Sequence, residues 1–373
     1  MKLLLLAGEE SGVLYADRIR AEVLRRQPGA EIRSYGDYGF RVEDLAVMGI
    51  GQVLRKIFYF LRVKKTMERA IDDWRPDVVC TVDYPGMNLK LAAYAKARGV
   101  RAVHVVCPQV WAWKRGRIPK IEAALDRLCC FFPFEPGLFR PGFAEFVGHP
   151  LADAFAGEGR GKGASGADGK VLALLPGSRM GEIEKHMPVL LEVIEKLGAE
   201  AARLKIALKV VIPAANAKTH AAIASSVSRL ASPSCPVELR RGGARELLRT
   251  ADAAVVASGT ATLEAALAGC PTVLVYRVGW FFELVARIVI RGVKHIGLAN
   301  VIAEKAGASC PMPELLQRDF TAENVLRYVR PWLTDAEANA RARQALGETM
   351  RRLTSDGDAI GRIVTSIWEM AAW

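Results

Sequence analysis

Two α/β domains, each with a parallel sheet and facing a common cleft, are the fold this sequence predicts, and three observations predict it. Short apolar runs of strand length alternate with stretches of helical period along the whole chain. The alternation runs through twice, on either side of residues 156–169, AGEGRGKGASGADG, which are glycine, alanine and charge and read as a linker or loop. A chain of 373 residues also exceeds what one hydrophobic core ordinarily organises. Buried strands joined through helices give Rossmann-like sheets, which hold ligands outside the carboxyl ends of their strands.

In the first domain, 1–155, residues 3–7 read as a strand, 8–12 as a glycine-bearing turn and 14–26 as a helix that Pro28 and Gly29 end. Residues 31–35 form a second strand and 36–39 a glycine-rich loop. The strand over 77–82 ends at Asp83, before a Tyr-Pro-Gly turn and another helix. Residues 102–106 form a strand followed by CPQVWAW and a basic run of Lys114, Arg115, Arg117 and Lys120. Short strands over 127–132 and 145–148 complete this half. After the linker, set at 156–170, the second domain, 171–325, places strands at 171–175, 208–212, 236–240, 253–257 and 272–276. Helices cover 246–250 and 261–268. Residues 326–373 are helical and either pack back on the first domain or exchange with a second subunit.

The stretch VLALLPGSR, 171–179, organises the second half. Five apolar residues, a Pro-Gly turn and a helical run give strand, tight turn and helix, which aims backbone N–H groups and a helix start at an anion. Gly177 and Ser178 sit in that turn, and Arg179 adds a cation whose fork suits phosphate oxygens. An ordinary strand–helix connection with a surface arginine is the competing reading. A second such loop, Ser258-Gly259-Thr260, opens a helix carrying Glu264, a carboxylate placed to take a ribose diol. Beside the first loop it favours a nucleotide diphosphate over a plain N-cap. No GxxxxGK[ST] occurs, which excludes a P-loop ATPase.

The formal net charge of +12 favours an anionic partner. Nucleic acid is disfavoured because stacking and base-reading modules are missing. Two basic-apolar stretches, 53–65 with Phe58, Phe60, Arg62, Lys64 and Lys65, and 280–294 with Trp280 and Phe281, suit a lipid headgroup layer. Core helices with solvated basic faces are the bland alternative. No run reaches the roughly eighteen apolar residues a membrane span needs. The opening MKLLLLAGEESG reads as a buried strand, since acidic residues follow its short apolar core where a signal-peptide cleavage site would stand. Seven cysteines without ligand spacing read as small buried residues of a reducing compartment. Asp356-Gly357-Asp358, although it resembles a metal-binding pair, reads as a turn, and no metal or cofactor is expected. Asp83, at a strand end, is a candidate general base, with a turn or cap aspartate as the alternative. His149 in VGHP is basic or structural.

The motifs AGEESG (7–12), LAVMGI (45–50), VDYPGMN (82–88), CPQVWAWKRGR (107–117), FFPFE (131–135), VGHPLAD (147–153), LLPGSR..EI (174–183), SGTATLEAALAGCPTVLVYR (258–277) and PELLQ (313–317) stand in the order found in lipid-A-disaccharide synthases, which the chain resembles over nearly its full length. That resemblance implies an inverting glycosyltransferase of GT-B architecture, peripheral on the inner membrane of Gram-negative bacteria. It implies transfer from UDP-2,3-diacylglucosamine to 2,3-diacylglucosamine 1-phosphate, making a β-1′,6 disaccharide and releasing UDP. In that light Arg179 and the Ser258–Thr260 loop hold the diphosphate, and Glu264, Asn300 and Gln317 complete the donor contacts. Asp83 is the base, with Glu9 the other carboxylate, and Gly8, Ser11, Gly12, Gln109, Trp111 and His149 belong to the acceptor side. Expected partners are the two lipid substrates, an anionic inner-membrane surface and a second copy in a homodimer. The chain departs from the family at Val13, where an aspartate is usual, in a shortened loop at YGDYGF, and in ANVIAEKA for PNLIAGRE. A catalytically weak UDP- or lipid-binding homologue, or another UDP-sugar enzyme of the same fold, is the alternative.

Overall fold

The computed structural model describes residues 1–45, 57–156, 169–230, 233–278 and 294–372. It divides into two units, residues 1–153 with 353–373, and residues 154–352.

In the first unit β1 (Lys2–Ala7), β2 (Glu31–Arg33), β3 (Val78–Val82), β4 (Arg101–Val105), β5 (Arg127–Cys130) and β6 (Ala144–Phe146) form one sheet in the order β2-β1-β3-β4-β5-β6. Every pairing is parallel. The strands read as apolar runs, KLLLLA and VVCTV, because both faces of a parallel sheet are covered. The pleat sorts β1 by alternate residues. Leu3 and Leu5 pack with Ile19 and Val23 of the helix Glu10–Arg26 and with Ile363 and Ile367 of the helix Ala359–Ala371. Leu4 and Leu6 pack with Met67 and Ile71 of the helix Ile57–Trp74 and with Leu91 of the helix Pro85–Lys96.

In the second unit β7 (Lys170–Leu175), β8 (Leu208–Ala214), β9 (Val237–Arg241), β10 (Ala253–Ala257), β11 (Thr272–Tyr276) and β12 (Glu314–Leu316) lie in the order β12-β11-β10-β7-β8-β9, again all parallel. Leu172, Leu174, Val210 and Val255 meet Leu190 and Ile194 of the helix Met180–Arg203 and Val325 and Val329 of the helix Ala322–Thr334.

In both sheets the order reverses beside the first strand. The chain leaves β1 for β2 on one side and returns for β3 on the other, and it does the same with β7, β8 and β10. The loops that follow β1 and β3, and those that follow β7 and β10, therefore meet at topological switch points, where such sheets bind ligands.

The structure corrects the expected boundaries in three places. The helices Ala322–Thr334 and Ala336–Met350 belong to the second unit, which extends to residue 352 rather than 325. Of the C-terminal helices only the last lies on the first sheet, where Ile360, Ile363, Val364 and Ile367 meet its apolar face. The first helix begins at Glu10, inside the expected turn, so Ser11 and Gly12 are helical. β12, within the PELLQ motif, was not anticipated, since three residues are too few to show a period. Asp358 caps the final helix by accepting from Gly361 N at 2.8 Å, and the preceding Gly357 turns at φ 92°. Six cysteines are buried and Cys310 is exposed. Most of the 156–169 stretch, most of LAVMGI, and Trp280 and Phe281 lie outside the described residues.

Candidate active site

At the first switch point the backbone is bent to present carboxylates. Asp83 and Tyr84, directly after β3, both hold φ of 50°, a left-handed conformation that non-glycine residues rarely adopt. Asp83 N donates to Val105 O at 2.9 Å, and Tyr84 N donates to Asp83 Oδ1 at 2.8 Å. Buried Asn88, one turn into the next helix, fastens the bend. Its Nδ2 donates to Asp83 O at 2.8 Å and to Val82 O and Leu6 O at 3.2 Å, and its Oδ1 accepts from Tyr35 OH at 2.8 Å. The glycines after β1 make room for this. A Cβ on Gly8 would stand 2.3 Å from Tyr84 Cδ1, and one on Gly12 would stand 3.2 Å from Val82 O.

Burial raises the Asp83 carboxyl above its ordinary value, opposed by the hydrogen bond from Tyr84 N, and so strengthens it as a base. Glu9, at the start of the first helix, is raised by burial and then by the charge of Asp83. Asp83 lines a cavity of about 220 Å³ with Pro85, Cys107, Gln109, Trp113 and Arg117. Trp111 stands back from that wall and donates its Nε1–H to Glu135 Oε1 at 3.2 Å. Buried Glu135 also accepts from Phe132 N at 3.1 Å, and burial pushes it up to about 8. Its carboxylate and the thiols of Cys107 and Cys130 lie within 4.8 Å of one another, a grouping the spacing in sequence did not show. His149 is also off the cavity wall. Its ring lies 5.1 Å from Phe131, its Nδ1 accepts from Leu151 N at 3.1 Å, and burial lowers it to about 4. Of its two readings, that is the packed, neutral one.

The second switch point is built for an anion. A cavity of about 340 Å³ brings together Gly177, Ser178 and Arg179 from the loop after β7 with Ser258, Gly259 and Thr260 from the loop after β10. Eighty residues separate the two motifs, and the strand order closes that distance because β7 and β10 are neighbours. Buried His186 pins the first loop. Its Nδ1–H donates to Pro176 O at 2.7 Å and its Nε2 accepts from Arg277 N at 3.0 Å, so the ring is neutral. Burial lowers its pKa accordingly.

Two expectations need amendment here. The amides at the start of the helix Met180–Arg203 are not open. Glu182 Oε2 accepts from Ser178 N at 3.1 Å and Arg179 N at 3.3 Å, and Glu182 Oε1 accepts from Arg179 Nη1 at 3.1 Å. Gly177, at φ 120°, permits this, since a Cβ there would meet Glu182 Oε2 at 2.5 Å. Nor do Glu264, Asn300 and Gln317 line the cavity. Glu264 is half-buried and raised by burial, with Arg245 opposing. Asn300 bonds both ways with Met312 and donates to Glu314 Oε1 at 2.8 Å, and Gln317 accepts from Val278 N and from Arg277.

On the basic-apolar helix Ile57–Trp74, Phe58 is 83% and Leu61 57% exposed, with Arg62 and Lys65 beside them. Phe60 is instead packed edge-on against Tyr59, and Lys64 pairs with Glu68. Among the described residues no helix is long and apolar enough to cross a membrane.

Comparison with known proteins identifies the fold and the family. Two solved structures share the fold at low identity: the S. aureus MnaA-UDP co-structure (TM-score 0.62, 15% identity, covering 99% of this chain and 96% of that one) and Acinetobacter baumannii MurG (TM-score 0.60, 14% identity, 99% of each). Lipid-A-disaccharide synthase of Myxococcus xanthus is 36% identical, covering 99% of this chain and 97% of its own. The Syntrophus aciditrophicus enzyme of the same name is 33% identical over 96% and 94%. The family model for lipid-A-disaccharide synthetase matches residues 3–357. The GT-B fold and this family match agree, and the chain belongs to the lipid-A-disaccharide synthase family, the glycosyltransferases of lipid A biosynthesis.

Proposed function

We propose that the protein transfers 2,3-diacylglucosamine from UDP-2,3-diacylglucosamine to the 6-hydroxyl of 2,3-diacylglucosamine 1-phosphate at a lipid surface, with inversion. The observation that carries the reading is the cavity uniting Gly177-Ser178-Arg179 with Ser258-Gly259-Thr260. It offers a guanidinium, three hydroxyls and the helix-start amides of the Ser258–Thr260 loop to a diphosphate. The family supplies the sugar and lipid identities. Arg179 offsets the negative charge that grows on the departing UDP as the C1–oxygen bond breaks. Asp83 accepts the proton of the acceptor 6-hydroxyl as that oxygen bonds to C1 from the face opposite UDP, and inversion follows. The elevated proton affinity that burial gives Asp83 fits a base of this kind. Gln109 and Trp113, on the same wall, orient the acceptor sugar, and Glu264 takes the ribose diol from one turn into the helix Thr260–Leu267.

The test is UDP release from UDP-2,3-diacylglucosamine in detergent, with and without the acceptor, and with EDTA throughout. Release that depends on the acceptor and survives EDTA is the expected result. UDP binding without acceptor-dependent release would leave a nucleotide-binding protein and overturn the transferase reading for this chain.

A further inference from the structure

We propose that a groove beside the helix Ile57–Trp74 binds the phosphate of an anionic bilayer lipid, at a site separate from both switch-point cavities. The groove, about 440 Å³, is lined by Arg33, Tyr38, Thr66, Arg69, Asp73 and Trp74. Two guanidinium groups against one carboxylate leave it cationic, and Thr66 and Tyr38 add hydroxyls, the donor set that phosphate oxygens take. Trp74 forms its floor. The Arg33 guanidinium lies 4.5 Å and the Lys2 ammonium 6.0 Å from the indole ring. Trp74 is 9% exposed, and its buried Nε1–H has no acceptor among the described residues.

The groove is not part of the Asp83 cavity. Trp74 precedes β3 and Asp83 follows it, so the strand Val78–Val82 separates them by about 17 Å. The helix connects the groove instead to the exposed apolar residues. Phe58, Leu61, Arg62, Lys65, Arg69 and Asp73 recur at three- and four-residue steps and are all exposed, so they form one stripe. From Phe58 to Arg69 the stripe runs about 16 Å, apolar at one end and basic along the rest. That is the pattern of a helix lying in the headgroup plane, its aromatic end among acyl chains and its cations level with phosphates. The proposal rests on the lipid-surface reading above and adds a discrete headgroup site to it.

Vesicle sedimentation tests it, using phosphatidylcholine alone and phosphatidylcholine with roughly one-third phosphatidylglycerol. The wild type is expected to bind the anionic vesicles. R33Q/R69Q should weaken that binding about 30-fold, at about 1 kcal/mol for each basic residue, with melting temperature and UDP affinity unchanged. R69Q alone, which keeps the Arg33–Trp74 stack, should weaken it about fivefold. Normal vesicle binding by the double variant, with binding lost only in Phe58→Ser, would overturn the groove and keep the lipid surface. Failure of the wild type on both vesicle types would remove the surface reading along with the groove. Binding of inorganic phosphate that Arg33 and Arg69 account for, with no vesicle dependence on either, would make this a free-phosphate site and overturn the lipid assignment.

Discussion

The two sheets reverse their strand order beside β1 and beside β7, yet what the chain holds out there is opposite in sign. The first switch point presents Asp83 and Glu9, both buried enough to be raised. The second presents Arg179, three hydroxyls and the helix start after β10. The means differ as well. Asp83 stands on two consecutive left-handed residues fastened by Asn88, a strained bend held in one position. Arg179 stands on a relaxed helix cap and is 61% exposed on its side chain. A base must meet one hydrogen at one distance, whereas a cation facing a diphosphate acts through a field that tolerates movement.

If that division is right, the largest effect belongs to Asp83→Asn. The amide keeps the shape and cannot take the proton, so kcat should fall by about 10³-fold, within the range of general base catalysis, while UDP affinity stays the same. Loss of UDP binding in that variant would erase the distinction between the two sites.

Acid should come next, and it should act on both units through buried neutral histidines. His104 and His149 in the first are lowered by burial to about 3 and about 4, and His186 in the second is lowered by burial. An unfolded histidine titrates near 6.5, so below that pH the unfolded chain binds the proton more readily. Stability present above about pH 6.5 is therefore lost as pH falls toward 4, by on the order of 3 kcal/mol for His149. Buried Glu135, raised to about 8, contributes in the opposite sense over this range, so the measurement is a difference: in thermal melts between pH 7.5 and 4.5, His149→Gln should lose less stability on acidification than the wild type. An equal slope in that variant would assign the acid sensitivity elsewhere.

How far the sequence anticipated this depends on what each residue acts upon. A polar residue after an apolar run, near glycine or proline, marks the end of a strand, and the placement of Asp83, Arg179 and Ser258 in the loops after β3, β7 and β10 was legible in that way. Asn88, Glu182 and His186 were not named as site residues, although two of them sit inside quoted motifs. Their work is to bond backbone atoms of the loops, and His186 reaches Arg277 across 91 residues, a pairing no local period encodes. The sequence likewise showed that the chain is helical from about Val325 onward without showing which sheet the helices that became Ala322–Thr334 and Ala336–Met350 cover. Their apolar faces suit either one, and only the packing of Val325 and Val329 with Leu172 decides it.

Arg179→Ala sharpens the comparison from the second side. Loss of a charged hydrogen-bond donor to phosphate costs about 1.5–3 kcal/mol, so UDP affinity should fall roughly 10- to 100-fold by calorimetry. Arg179→Lys should recover part of it, because charge matters more here than the fork. Full loss in the lysine variant would mean that the second site, like the first, depends on fixed geometry.

The smallest expected effect is the most discriminating. Glu182 places a carboxylate on the Ser178 and Arg179 amides and on the Arg179 guanidinium, the same groups that would meet a diphosphate. A bound diphosphate and this carboxylate repel each other, so the free protein holds its own competitor in the cavity. In Glu182→Gln the side-chain oxygen still accepts from the amides but carries no charge. The ion pair it gives up is exposed on its Arg179 side, though Glu182 is largely covered, and it contributes about 1 kcal/mol or less. Stability should therefore barely move while UDP binds about threefold tighter, provided Glu182 competes for the site. If UDP instead binds more weakly at unchanged stability, Glu182 shapes the loop in the way Asn88 shapes the bend at Asp83. The two switch points would then share a construction as well as a topology.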